Sequence, residues 1–205
     1  MKSTPTNAGP TVYTNPAWLP FALTIATGGA YLIVWAGRSW SMMKRERGDP
    51  EMRPLWHALS LAVPFYMIFR VHAHFRTLNE LLARTGARER ANLAIAVGGF
   101  AGFPLTFIAT GAFRTGLRDG SVLLIAALCA GVVAGYGQHH LNAYLRSCAG
   151  ASLVSRVSVL QWIALVVFGV LMASYVVASW TAIPPGGSRP WSGSSCDLLR
   201  RQVVT

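Results

Sequence analysis

Five histidines are the only side chains in this 205-residue sequence whose type and spacing point to chemistry. His72 and His74 form a His-x-His pair, His139 and His140 are adjacent, and His57 stands alone. Neutral imidazole ligates metals, and ligands on one helix need i,i+3 or i,i+4 spacing to share a face. On a 3.6-residue period His72 and His74 lie about 200° apart, and His139 and His140 about 100° apart. Neither pair chelates alone, so a metal or cofactor site requires His72 or His74 to meet His139 or His140 between helices. The competing reading is a set of interfacial imidazoles bonded to headgroups and water, and it is the simpler one. No Gly-rich phosphate loop, His-Glu-x-x-His or Gly-x-Ser-x-Gly element occurs. No span carries the carboxylate that a proton-coupled pump usually needs. The expectation is therefore a protein that is not an enzyme and holds no cofactor.

Cys129, Cys148 and Cys196 are widely spaced and suggest neither a disulfide framework nor a zinc site. The chain is 53% hydrophobic and only 12% charged, against about 25% charged in soluble domains. Long apolar runs recur, so the fold class is an all-α, polytopic transmembrane helix bundle. Eighteen Lys and Arg face seven Asp and Glu, a formal charge of +11. These cations flank apolar segments, which favours the anionic lipid bilayer as partner over nucleic acid.

Residues 1–15 read as a polar, flexible lead rather than a signal peptide. The bundle occupies 16–181, and 182–205 read as a disordered tail. The first span is expected from Pro16 to Gly37, with Trp18 and Trp35 about 26 Å apart along a helix, near the spacing of the two interfacial belts. Its Gly28–Gly29–Ala30 step suits close helix contact. Arg38, Lys44, Arg45, Arg47 and Arg53 then form a cytoplasmic, headgroup-binding segment, and Gly48-Asp49-Pro50 marks a turn. Leu78, Leu81 and Leu82 share one face of an amphipathic surface helix over 77–90. Further spans are expected at 91–113, 121–138 and 157–181. Gly98 with Gly102, and Gly131 with Gly135, are small-xxx-small pairs for helix packing.

The stretch 54–76 decides the layout. From Leu55 to Phe69 it is apolar over about fifteen residues, short of the roughly twenty that cross a bilayer, and Pro64 interrupts it. If it crosses, there are five spans, with ten basic residues inside and eight outside. If it is re-entrant or interfacial, there are four full spans and the split becomes twelve to six. The positive-inside rule favours four spans plus one short re-entrant or interfacial helix.

Thr27-Gly-Gly-Ala-Tyr31 with Trp35, followed by Pro64-Phe-Tyr and Phe69-Arg, resembles small uncharacterised bacterial membrane proteins with a domain of unknown function. Their first span has a Thr-x-Gly-x-Tyr-x-x-x-Trp pattern, and the resemblance covers roughly residues 17–80. It implies a multi-pass protein of the bacterial inner membrane and carries no activity with it. Two functional expectations follow. The first is a scaffold or accessory membrane subunit, packed on a membrane-protein partner or a second copy and binding anionic lipid through 38–53. The second is a small transporter or cofactor- or metal-binding subunit built on His72/His74 with His139/His140.

Overall fold

The computed structural model describes residues 12–63, 65–113, 119–149 and 153–181. The fold is all-α: seven helices among the described residues, joined by one small strand pair. Strand β1 (Val12–Thr14) opens it. Helices α1 (Trp18–Ala26) and α2 (Tyr31–Arg47) follow, then α3 (Pro54–Leu59), a 3-10 turn at Ser60–Ala62, and α4 (Tyr66–Arg84). Helices α5 (Leu93–Phe113) and α6 (Asp119–Ala149), strand β2 (Leu153–Ser155) and helix α7 (Val159–Thr181) complete it.

The expected first span is two helices. Gly28 and Gly29 adopt φ of 60° and 98°, where side chains are disfavoured. The Gly29 amide returns to the Thr24 carbonyl (2.7 Å) and the Gly28 amide to the Ile25 carbonyl (3.0 Å), a Schellman stop. The glycine step expected to admit another helix does so, with Leu123 of α6 over Gly28 and Phe103 of α5 over Gly29, and it is also a helix terminator. Thr27 Oγ1 then accepts the Tyr31 amide (2.9 Å) and starts α2.

Contacts along α6 fix the direction of the other helices. Gly28 faces Leu123, Gly131 faces Phe21, and Gly135 faces Phe21 and Ala17, so α1 runs antiparallel to α6. Trp35 meets Gly137 and Gln138, while Glu46 meets Tyr144, so α2 runs back parallel to it. Together α1 and α2 form a hairpin. A second hairpin follows: Ala58 opposes Gly37 and His57 stacks on Trp40 as the chain climbs. Helix α4 then descends, setting His74 beside Ser39 and Glu80 beside Arg47. Helices α5 and α7 both run antiparallel to α6, through Gly102 on Cys129 and Gly120 on Ser179.

Among the described residues two helices, α6 and α7, are long and apolar enough to cross a membrane, so the expected four full spans are not supported. The five-span alternative places 38–53 and 77–90 at opposite ends, whereas the Arg47–Glu80 ion pair holds them together. Helix α6 also outruns its expected end at 138, continuing through the polar turns to Ala149. The expected surface helix over 77–90 is the second half of α4, stopped at Gly86 by another left-handed cap (φ 70°). Part of the expected flexible lead is held in place: Val12–Thr14 pair in parallel with Leu153–Ser155. Residues 1–11, the tail at 182–205, Pro64 and the 114–118 loop lie outside the described residues.

The core lies between α2, α4, α5 and α6, with Trp35, Trp40, Met43, Phe75, Leu78, Phe100 and Val133 buried. Helix α7 is the opposite case. It touches α1 and α6 yet leaves Val159 74% and Leu160 77% exposed, and only Met172 is buried.

Candidate functional site

The C-terminal ends of α2, α4 and α6 and the start of α5 gather at one end of the bundle. Tyr144 donates to Glu46 Oε2 (2.8 Å), Thr85 and Ser147 hydroxyls are 2.8 Å apart, and Asn79 bonds both backbone groups of Ala91. The basic segment belongs to this end, but its five cations do different work. Lys44 Nζ donates to the carbonyls of Pro50 (2.9 Å) and Met52 (2.8 Å), pinning the loop after α2. Arg47 pairs with Glu80, which also accepts from Arg76 Nε (3.1 Å). Arg38, Arg45 and Arg53 point outward and are exposed. Three of the five cations therefore face outward.

The histidines separate by burial. His74 is 4% exposed, with Nε2 3.2 Å from Ser39 Oγ and its ring against Trp35 and Trp40. His57 stacks on the same Trp40 ring (4.5 Å between centroids). Burial, and then the proximity of His57, push the His74 pKa down to about 3, so the ring is neutral. The His57 pKa is lowered too, by burial first and by Arg70 second. His72, on the opposite face of α4, is exposed. His140 is buried against Tyr136, and His139 is exposed, 3.9 Å from Glu89.

No hydrogen bond or ring contact joins His72 or His74 to His139 or His140. The rings of Phe75 and Tyr136 stand between His74 and His140, forming a continuous column from His57 to His139. Among the described residues no three His, Cys, Asp or Glu gather as metal ligands. The physical reason is the half-turn between His72 and His74, which sends only one of them inward.

The packing glycines also differ. A Cβ on Gly102 would sit 2.7 Å from Cys129 Sγ, and one on Gly131 or Gly135 would sit 3.1 Å from Phe21 atoms. Gly98 has nothing within 4 Å. Gly137, where a Cβ would overlap the Trp35 indole, is the tightest approach of α2 to α6.

Two features escape pattern reading because they depend on tertiary contact. One is a polar cluster: Trp35 Nε1 donates to Gln138 Oε1 (3.0 Å), Gln138 Nε2 to Asn142 Oδ1 (2.8 Å), and Asn142 Nδ2 to the Asn15 carbonyl (3.0 Å). Thr14 Oγ1 and Gln161 Nε2 complete it, so β1, α2, α6 and α7 meet there. The switch to polar residues from Gln138 onward was its visible sign. The other is an apolar groove of about 580 Å³ between the α1–α2 turn, residues Leu61, Ala62, Phe65 and Met67, and α5.

No protein-family model, curated protein or solved structure matches this chain. These comparisons do not bear on the resemblance at Thr27–Trp35, Pro64-Phe-Tyr and Phe69-Arg; the structure gives Thr27–Tyr31 a local task, the turn between α1 and α2.

Proposed function

We propose that the chain is a multi-pass scaffold or accessory subunit of a bacterial inner membrane, non-catalytic, with its basic end on the anionic cytoplasmic leaflet. In this layout α5, α6 and α7 cross the bilayer. The α1–α2 and α3–α4 hairpins enter from the basic face and return to it, the second being the re-entrant segment.

Three arguments support the reading. Helix α7 is 23 residues long, about 35 Å, and apolar on nearly every side, which suits lipid better than water. Trp18 and Trp162 lie together (5.9 Å) at the level where α6 turns polar, as interfacial aromatics do. The observation that carries the proposal is the shared end of 44–53, 79–92 and 144–147. With both hairpins returning to it, the twelve Lys and Arg among the described residues fall on one side: five in 38–53, five in 70–90, Arg146 and Arg156.

The test is impermeant maleimide labelling in a Cys148→Ser, Cys196→Ser background. Arg45→Cys and Arg88→Cys should stay unlabelled in intact cells and react in inverted vesicles, with Thr181→Cys the reverse. Labelling of Arg88→Cys from outside overturns the layout. Recovery of the protein from mild detergent with a partner or as an oligomer tests the scaffold role, and a monodisperse lone monomer counts against it.

A further inference from the structure

Arg70 holds a guanidinium that no carboxylate answers. Its terminal nitrogen donates to the Tyr66 hydroxyl, its Cζ lies 4.7 Å from the Tyr66 ring centroid, and its Nε is buried without a hydrogen-bond partner. Glu80 is taken by Arg47 and Arg76, and Glu89 lies by His139, so none of the described ion pairs includes Arg70. The side chain is only half-buried, but its Nε is shut off from water and unmet, so an anion approaching the open side of the guanidinium would complete it.

The apolar groove begins one turn away. Leu61 and Leu32 line both the groove and the small cavity that Arg70 and His74 wall, so cation and groove are adjacent. From Leu61 and Phe65 the groove runs to Phe103, Pro104 and Ile108, and its volume lies within the range of small-molecule sites. Phe65 holds its rim with a φ of 61°, unusual for a residue with a side chain. Depth orders the two features. Arg70 shares a cavity with Trp35, Trp40 and His74, and Trp35 bonds Gln138, where α6 turns polar. The groove reaches Gly28, which faces Leu123 near the other end of α6. A charged head therefore sits toward the basic face and an apolar slot leads inward, the orientation of a lipid in that leaflet.

The geometry points to one bound phospholipid of net negative charge, its phosphate on Arg70 and one acyl chain in the groove. This rests on the membrane reading above and goes beyond it, because an exposed basic face attracts anionic lipid without fixing a stoichiometry. A free apolar molecule fills the slot but leaves the guanidinium unanswered. A planar fork suits phosphate, which distinguishes arginine from lysine here.

Native mass spectrometry of the full chain in mild detergent, titrated with phosphatidylglycerol and with phosphatidylcholine of the same acyl chains, tests the site. One phosphatidylglycerol should survive on each chain under activation that strips phosphatidylcholine. Arg70→Gln should cut that preference about tenfold, the scale of one hydrogen bond to a charged group, and Arg70→Lys should cut it less. Ala62→Trp, which fills the groove, should weaken both lipids alike. Arg146→Gln, an exposed charge on the same face, should change neither. Equal retention of the two lipids, or an unchanged preference in Arg70→Gln, overturns the assignment. So does an equal loss in Arg146→Gln. Any of these leaves the topology reading intact, whereas failure of the wild-type chain to remain in membranes removes both.

Discussion

The phenolic hydroxyl of Tyr144 donates to Glu46 Oε2 across 2.8 Å, tying the last turn of α2 to the last turns of α6. This bond, with the Arg47–Glu80 pair, gives the bundle a single basic end rather than two. Tyr144→Phe keeps the ring and deletes the donor, at an expected cost of about 1–2 kcal/mol for a bond to a carboxylate. Thermal unfolding in detergent measures it, and an unchanged midpoint would mean the bond does not form in solution.

Gly137 and Gly98 make a matched pair. A Cβ on Gly137 meets the Trp35 indole, while one on Gly98 meets nothing within 4 Å. Gly137→Ala should lose about 1–3 kcal/mol through overpacking. Gly98→Ala should be neutral or gain up to about 1 kcal/mol of helix propensity. Equal effects from the two changes are incompatible with the α2–α6 contact described above.

The α1–α2 turn can be tested against another glycine of the same type. Gly29 (φ 98°) has Phe103 3.2 Å from where a Cβ would sit, whereas Gly86 (φ 70°) has open space. Gly86→Ala carries only the left-handed backbone penalty, about 1–2 kcal/mol. Gly29→Ala adds the Phe103 clash and should cost more. Comparing the two melting curves decides it, and the reverse order would argue for a continuous helix through Thr27–Ala30.

His74 should make the fold acid-sensitive. Its folded pKa of about 3 lies below the ordinary 6.5, so the unfolded chain binds a proton the folded one refuses. Stability is then complete above pH 6.5 and declines as pH falls from 6.5 toward 3, by up to about 1.4 kcal/mol per pH unit. His57 is displaced in the same direction and adds to the slope. Melting temperatures of wild type and His74→Gln between pH 7.5 and 4.5 provide the check. A slope that survives the substitution assigns the effect elsewhere.

Much of the helical content was legible because apolar runs of about twenty residues have few alternatives. Helices α5 and α7 begin and end within two residues of where hydropathy puts them. At Gly28-Gly29 the helix contact was readable but the helix end was not, because only the backbone angles show it. The reading failed at Lys44 and Arg47 for another reason. A cation in a basic segment reads as a headgroup ligand until the loop carbonyls or a glutamate thirty-three residues on are seen to hold it. The histidine pairs showed the limit plainly: their angular spacing was readable, but Phe75 and Tyr136 standing between them was not.

The parallel pairing of Val12–Thr14 with Leu153–Ser155 bears on how the protein is made. Val12–Thr14 leave the ribosome more than 130 residues ahead of their partners, which come just before α7. Until then α1 lacks α6 and α7, the helices it packs against, and an early hairpin with an unfilled flank is what insertion machinery must shelter. A nascent polypeptide arrested before Val159 therefore carries α1 without one of the two helices that cover it most.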